Sequence, residues 1–380
     1  MTQPMRRNMV KILLLLAVTL PWISSPVLAQ QASRAAGGGK TENVVVVTLD
    51  GFRWQELFGG LDETLLGDSK VDAAVLRESY GRNTAAESRR AIMPFFWDTI
   101  AREGQVFGDR AANCIANTAN DRKFSYPGYS EMLCGIVDAR IDSNDANPNP
   151  NPNVLEFLHG RPGLAGKVAA YGTWNRLNAI VNEQRSGFFV HSGWTPLPGE
   201  KLTPAQLEIN AWMADLPRLW PDNVFDVVTA RAAMEHLTRE RPRVLYVMFG
   251  ETDEWAHAGR YDCYLDAARR NDAWLAELWR TLQADPHYAG KTSLLLTTDH
   301  GRGATPKDWK NHGVEIARAE EIWIAVIGPD TPALGVRKDV SVTQSQVAAT
   351  IAALLGEDFV AAHPKAAPPL PGVVATTGAK

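Results

Sequence analysis

Six residues of two types stand where apolar runs end. Asp50 closes the run 43–49 (NVVVVTL), and Asp253 and His257 follow the run 243–249 with a spacing of four. Asp299 and His300 come directly after the run 292–298, and His312 lies downstream in KDWKNHG. A spacing of four places Asp253 and His257 on one face of a helical turn. Three carboxylates and three imidazoles suit Zn²⁺, admit Mn²⁺ or Fe, and disfavour Ca²⁺ because of the nitrogens. Any single pair is ordinary surface decoration. It is their joint placement at the ends of apolar runs that points to metal chemistry.

A nucleophile has to be sought separately. Residues 124–132 (FSYPGYSEM) carry the hydroxyls of Ser125, Tyr126, Tyr129 and Ser130 around Pro127-Gly128. Read alone, Tyr126-Pro127-Gly128 is a β-turn with no chemistry, and Ser130 is expected on a helix surface. A serine hydroxyl becomes reactive near neutral pH only beside a base or a metal, and the six residues above are the only local reason for that.

The elements that must position these groups follow from the same runs. The stretches 43–49, 243–249, 292–298 and 321–327 are apolar without alternation, which suits strands buried on both faces of a parallel sheet. Helix-like segments at 94–103, 262–284 and 343–355 separate or follow them. The expected fold is α/β, a mostly parallel central sheet with helices on both faces, its ligands at the carboxyl ends of the strands. The loop 143–153 (SNDANPNPNPN) can be neither helix nor central strand. The stretch 141–240 is expected as an inserted cap, with Trp174, Trp194, Trp212 and Trp220 as candidate pocket walls or plain core. Residues 43–360 are expected to form the domain that carries these groups, and the Pro- and Ala-rich stretch 361–380 is expected to be a disordered tail.

Residues 1–29 read as a secretory signal peptide: Arg6, Arg7 and Lys11, then an apolar run too short for a permanent span, then small residues up to Ala29. Residues 30–42 form a flexible tether. Periplasmic or secreted localisation is therefore expected. The formal net charge is −4, and loss of three basic residues with the leader makes the remainder more acidic. With no basic block, nucleic acid and anionic membranes are poor candidates for the main partner. Of the three cysteines, Cys114 and Cys134 are the natural bridge in an exported chain, although connectivity is not readable from sequence. No Cys-x-x-Cys pair supports a thiolate metal site.

The motifs VVVVTLDGFR (44–53), FSYPGYSEMLCG (124–135), ETDEWAHAGRYD (251–262), TTDHGRG (297–303) and NHG (311–313) resemble, in their order, those of the alkaline phosphatase superfamily. The resemblance is to its nucleotide pyrophosphatase/phosphodiesterase-like branch, and the part least covered is 140–240. It implies an alkaline-phosphatase-like fold and two divalent metal ions, with zinc first and manganese second. Asp253, His257 and His312 resemble the ligands of one metal; Asp50, Asp299 and His300, joined by Ser125, those of the other. Ser125 takes the place of the family's nucleophile, which implies a phosphoric-ester hydrolase working through a seryl-phosphate on a small phosphoester.

Three departures stand out. Gly128 sits where the diesterase branch often has Asn, and Trp174 where monoesterase relatives carry the Lys of Lys-x-Arg, leaving Arg176 as the candidate phosphate contact. His312 also follows His300 at a short interval. Two further readings keep the fold. A sulfatase would need Arg at the position of Tyr129, and a phosphotransferase would differ only in its acceptor. A catalytically silent binding protein is the non-enzyme reading.

Overall fold

The computed structural model describes residues 41–374. The signal peptide at 1–29, the tether except for its last two residues, and positions 375–380 lie outside the described residues. Ten strands occur among those described: β1 Asn43–Leu49, β2 Gln105–Phe107, β3 Cys114–Asn117, β4 Val168–Gly172, β5 Phe189–Ser192, β6 Val244–Phe249, β7 Thr292–Thr297, β8 Ile324–Ile327, β9 Gly335–Val336 and β10 Val340–Thr343. Eight of them form one sheet in the order β5-β4-β6-β1-β7-β8-β2-β9, and β3 pairs with β10 in a second, two-stranded sheet.

The centre of the large sheet is parallel, with β1 between β6 and β7. The antiparallel pairings are those of β8, with β7 and with β2. Every residue of β1, β6, β7 and β8 is buried, as unbroken apolar runs require. Alternation along β1 divides its side chains between two cores. Val45, Val47 and Leu49 pack with the helices Asp226–Glu240 and Tyr261–Ala284. Val44 and Val46 face the other layer, with the helices Ser125–Cys134, Val154–His159 and Gln346–Leu354. The register then fixes the site: Leu49 lies opposite Phe249 and Thr48 opposite Thr297, so three strands end side by side. Asp50, the Gly250–Asp253 turn and Asp299 are delivered to one edge of the sheet, where open α/β sheets bind ligands.

The helices expected at 94–103, 262–284 and 343–355 are present as a π-turn Phe96–Ile100 running into Ala101–Glu103, as Tyr261–Ala284 and as Gln346–Leu354. The second stops where Asp285-Pro286 cannot continue a helix.

Three expectations need correction. The 141–240 stretch is not simply an insertion, because it supplies β4 and β5 of the main sheet. These strands are only five and four residues long, and β5 is a partly exposed edge, so neither makes a strong apolar run. The tail is ordered through residue 374: Leu370 and Val373 are buried beside the helix Gln346–Leu354, and the Leu370 N–H donates to Thr350 Oγ1 at 2.8 Å. Its composition suggested disorder, yet a few apolar side chains suffice to dock it. Cys114 and Cys134 are both buried free thiols. Each has its own partner: Cys114 Sγ accepts the Gly108 N–H at 3.3 Å, and the Cys134 thiol donates to the Asn151 carbonyl at 3.8 Å.

Candidate metal centre and nucleophile

Ser125 is the first residue of the helix Ser125–Cys134, so Tyr126-Pro127-Gly128 is the first helical turn and not a free-standing β-turn. Pro127 fits there because the first N–H groups of a helix have no intrahelical partner. Gly128 is required by space: a Cβ at that position would stand 2.4 Å from the Asp299 carbonyl oxygen. The helix thus packs against the backbone of the metal-ligand candidate, and no side chain, the Asn of the diesterase motif included, could be built there. Ser130, expected on the surface, is buried and accepts a hydrogen bond from the Asn149 amide at 2.9 Å.

The Ser125 hydroxyl lies 3.3 Å from His300 Nε2. His300 is fully buried, and its Nδ1 lies 2.9 Å from the Gly301 carbonyl, which holds a proton on Nδ1 and turns Nε2 to the cluster, where a cation would displace the proton it carries. That nitrogen is 3.3 Å from Asp50 Oδ1, 3.4 Å from Asp299 Oδ2 and 3.8 Å from Asp253 Oδ1. On the other side, His257 Nε2 is 2.9 Å from His312 Nε2 and 3.2 Å from Asp253 Oδ2. His312 turns its Nδ1 to the Lys123 carbonyl at 3.3 Å and stacks on His300 with ring centroids 4.0 Å apart. All seven residues singled out in the sequence as ligands or nucleophile therefore converge at one place.

The donor set fits divalent cations. Asp50 Oδ1 and Asp299 Oδ2 are buried and accept no hydrogen bond, a costly state for carboxylate oxygens unless a cation is to be received. Two triads have all their ligand atoms within 4.8 Å of one another: Asp50, Asp299 and His300, and Asp253, His300 and His312. His300 belongs to both, so it sits between the two halves rather than in one, and His257 closes the second half from its exposed side. The electrostatics agree. Burial, followed by repulsion from Asp253, raises the Asp50 carboxyl, and burial followed by Asp50 raises Asp299 well above the carboxylate range. Burial opposes a charge on His300, but Asp299, Asp50 and Asp253 outweigh it and push its pKa up to about 9. Negative charge is in excess here, as a cation site requires.

Several supporting residues carried no signal in the sequence. The Tyr129 hydroxyl donates to Asp50 Oδ2 at 2.9 Å, the Thr252 hydroxyl donates to the Asp50 carbonyl at 2.6 Å, and the Gly51 N–H donates to Asp299 Oδ1 at 3.0 Å. Gly51 adopts φ +58°, a backbone turn that only glycine takes without strain. Arg302 forms an ion pair with Asp253 Oδ1. Asn144, from the Pro-Asn loop, accepts the Tyr126 N–H on its Oδ1 at 2.9 Å.

Arg176 is not brought into this cluster. Its Nε donates to the Asn144 carbonyl at 3.0 Å, its Nη1 to Asn175 Oδ1 at 2.7 Å, and its Nη2 lies 3.4 Å from Asp222. It reaches the nucleophile only through Asn144. The four tryptophans also divide: Trp194 is buried in the core, Trp212 is on the surface, Trp174 packs against the Ser125-side core, and Trp220 meets Trp255 edge-on at 4.9 Å.

Comparison with known proteins identifies the family and the fold. Residues 149–366, over half of the chain, match the family model described as type I phosphodiesterase / nucleotide pyrophosphatase. The matched segment holds Asp253, His257, Asp299, His300 and His312 but not Asp50 or Ser125. A comparison with curated proteins finds no match. Among solved structures, wild-type alkaline phosphatase PafA shares 10% identity over 89% of this chain and 99% of that one, with a TM-score of 0.59. BT1596, a 2-O GAG sulfatase, shares 11% over 90% and 76%, at 0.53. Murine ectonucleotide pyrophosphatase/phosphodiesterase 5, an inactive variant in complex with AMP, shares 12% over 87% and 97%, at 0.50. At these identities the likeness establishes the fold, which is alkaline-phosphatase-like.

Proposed function

The chain belongs to the type I phosphodiesterase / nucleotide pyrophosphatase family of the alkaline phosphatase superfamily, and from that premise we propose that it is an exported two-metal phosphoric-ester hydrolase with Ser125 as its nucleophile. The observation that carries the reading is the position of Ser125 Oγ, 3.3 Å from the nitrogen shared by both ligand triads. Asp50, Asp299 and His300 would hold one ion beside Ser125; Asp253, His257 and His312 would hold the other. Zinc suits the nitrogen-rich set best, with manganese second. When bound, such ions lower the pKa of a coordinated hydroxyl or water and stabilise charge on phosphoryl oxygens.

The chain's own groups then have defined tasks. Ser125 Oγ gives its proton to solvent and attacks phosphorus, forming the O–P bond of a seryl-phosphate as the P–O bond to the leaving alcohol breaks, and the alcohol leaves with a proton from solvent. Water attacks the seryl-phosphate, releases phosphate (or a phosphomonoester from a diester) and returns the proton to Ser125. The Ser125–Cys134 helix directs its N-terminus at the phosphoryl group, where its dipole favours negative charge. Arg176 and Asn144 are assigned to the substrate side, Arg176 acting by holding Asn144. The 2-O GAG sulfatase and alkaline phosphatase neighbours share the fold, so the reaction class rests on the site.

A panel of p-nitrophenyl phosphate, bis-p-nitrophenyl phosphate and p-nitrophenyl sulfate tests the reading. Phosphoester turnover should depend on added Zn²⁺ or Mn²⁺ and disappear in Ser125→Ala, while the variant keeps about two metal equivalents. Turnover of the sulfate ester alone, or full activity in Ser125→Ala, would overturn it.

A further inference from the structure

Arg302 is almost completely buried and spreads its guanidinium over three acceptors. Its Nε donates to the Trp309 carbonyl at 2.9 Å, its Nη2 to the Lys310 carbonyl, and its Nη1 to Asp253 Oδ1. The first two acceptors belong to the loop that ends at His312. The third belongs to a helix after a different strand. The opposite oxygen of the same carboxylate, Asp253 Oδ2, faces His257 Nε2 at 3.2 Å. One side chain therefore ties the His312 loop to the carboxylate that the Asp253–His257–His312 group shares. Gly51 makes the contact possible, since a Cβ there would stand 2.8 Å from both Arg302 Nη1 and Asp253 Oδ1.

The loop needs such a tie. The stretch 303–312 has no strand or α-helix of its own. It is held from outside by Asp68, which accepts Trp309 Nε1 at 2.7 Å and Lys310 Nζ at 2.8 Å, by Arg53 Nη1, which donates to the Gly303 carbonyl at 2.9 Å, and by the Lys123 carbonyl 3.3 Å from His312 Nδ1. Internally the Gly303 N–H donates to the Asn311 carbonyl at 3.0 Å. None of these contacts reaches Asp253, which lies 3.6 Å from His312 Nε2. The Arg302 guanidinium bonds both the loop and Asp253, and its planar fork suits two carbonyls and a carboxylate in a way that an ammonium does not.

We propose that Arg302 is a positioning residue that assembles the Asp253–His257–His312 metal site before the ion arrives, by locking the 303–312 loop onto the Asp253 carboxylate. The inference rests on the two-metal reading above. It assigns Arg302 no contact with substrate. Its consequence is selective: the site containing His312 depends on Arg302, whereas the Asp50–Asp299–His300 site does not.

The test uses the purified full chain, stripped of metal and titrated with Zn²⁺, comparing wild type with Arg302→Lys, Arg302→Gln and His312→Ala. Wild type should take up two equivalents. Both Arg302 variants, like His312→Ala, should keep one equivalent at wild-type affinity and bind the other at least tenfold more weakly. Folded variants that bind both equivalents as wild type does, or lose both together, would overturn the assignment. Hydrogen exchange on the metal-free wild type is the second arm and needs no variant. The Gly303 amide should already be protected without zinc; free exchange there, corrected by zinc, would show that the ion and not Arg302 orders the loop. A wild type that binds no zinc would sink the metal reading and this assignment with it, whereas a wild type that binds two equivalents but leaves the Gly303 amide unprotected without zinc would sink the assignment alone.

Discussion

Asp226 and Glu251 cap each other's helices. The Asp226 carboxylate accepts the N–H of Gly250 at 2.8 Å and of Glu251 at 3.2 Å, at the start of the helix Glu251–His257. Glu251 Oε1 returns a hydrogen bond from the Asp226 N–H at 2.8 Å, at the start of Asp226–Glu240. Thr173 and Asn271 donate to the Asp226 oxygens as well, and Arg270 pairs with Glu251. Each carboxylate meets the positive end of a helix dipole, and two helices on different chain segments are fixed to one point. Asp253 and His257 ride on one of them.

Asp226→Ala should therefore be costly twice over. Several buried donors lose their acceptor together, and the destabilisation should be about 3 kcal/mol in urea unfolding. The short helix should also loosen, so zinc affinity should fall in the folded variant. A loss under about 1 kcal/mol would mean that the pair is not a shared anchor.

Gly128→Ala tests a contact that the sequence presented as a puzzle. In most helix interiors this exchange stabilises by about 1 kcal/mol, because alanine has less freedom to lose. Here the new methyl would sit 2.4 Å from the Asp299 carbonyl, with the backbone of β7's end behind it. The expected result is reversed: loss of about 2 kcal/mol or more, from overpacking, with reduced turnover as Asp299 shifts from Ser125. A raised Tm would refute the close approach.

This glycine also illustrates what could be read from the chain alone. Strands β1, β6 and β7 were legible because burial on both faces leaves unbroken apolar runs, and their register brings Asp50, Asp253 and Asp299 together without further information. Asp50, Asp253, His257, Asp299 and His300 were legible as candidate ligands for the same reason, His312 as the histidine of the loop that follows the third run, and Ser125 as candidate nucleophile through the family resemblance. Residues that act through long-range contacts were not. Arg302 and Tyr129 have no local pattern linking them to Asp253 or Asp50, since the partners are 49 and 79 positions away. Strands β4 and β5 escaped because short, partly small-residue segments make no periodic signal. Arg176 does not reach the carboxylate and histidine cluster directly, because spacing places a residue near a site but does not say which neighbour its side chain will choose.

Tyr129→Phe removes the phenolic hydroxyl and nothing else. That hydroxyl donates to Asp50 Oδ2 in a site where Asp50 Oδ1 has no partner, so it orients the carboxylate whose other oxygen lies 3.3 Å from His300 Nε2. Stability should change by about 1 kcal/mol. Zinc affinity at the Asp50 half should fall roughly tenfold, as for other residues behind a metal ligand. Unchanged affinity in a direct titration would show that Asp50 is fixed by β1 alone.

His236 should make the metal-free chain acid-labile as pH falls below about 6.5. The ring lies in the helix Asp226–Glu240, stacked on Phe189 at 5.0 Å with Tyr171 at 5.4 Å. Burial lowers its pKa from 6.5 to about 4, against the attraction of Glu240. The folded protein therefore keeps the ring neutral, while the unfolded chain takes up a proton near pH 6.5. Stability is fully present above that pH and is lost as pH falls through about 6.5 towards about 4, by about 3 kcal/mol over the window. His191, also lowered by burial, acts in the same direction. In metal-stripped protein, urea midpoints measured between about pH 7 and 4 should fall steeply for wild type and less steeply for His236→Phe. The difference between the two slopes isolates His236 from His191 and from the ligand cluster, which both proteins share. Parallel slopes would mean that the ring is solvated in the folded state and that its stacking on Phe189 does not exclude water.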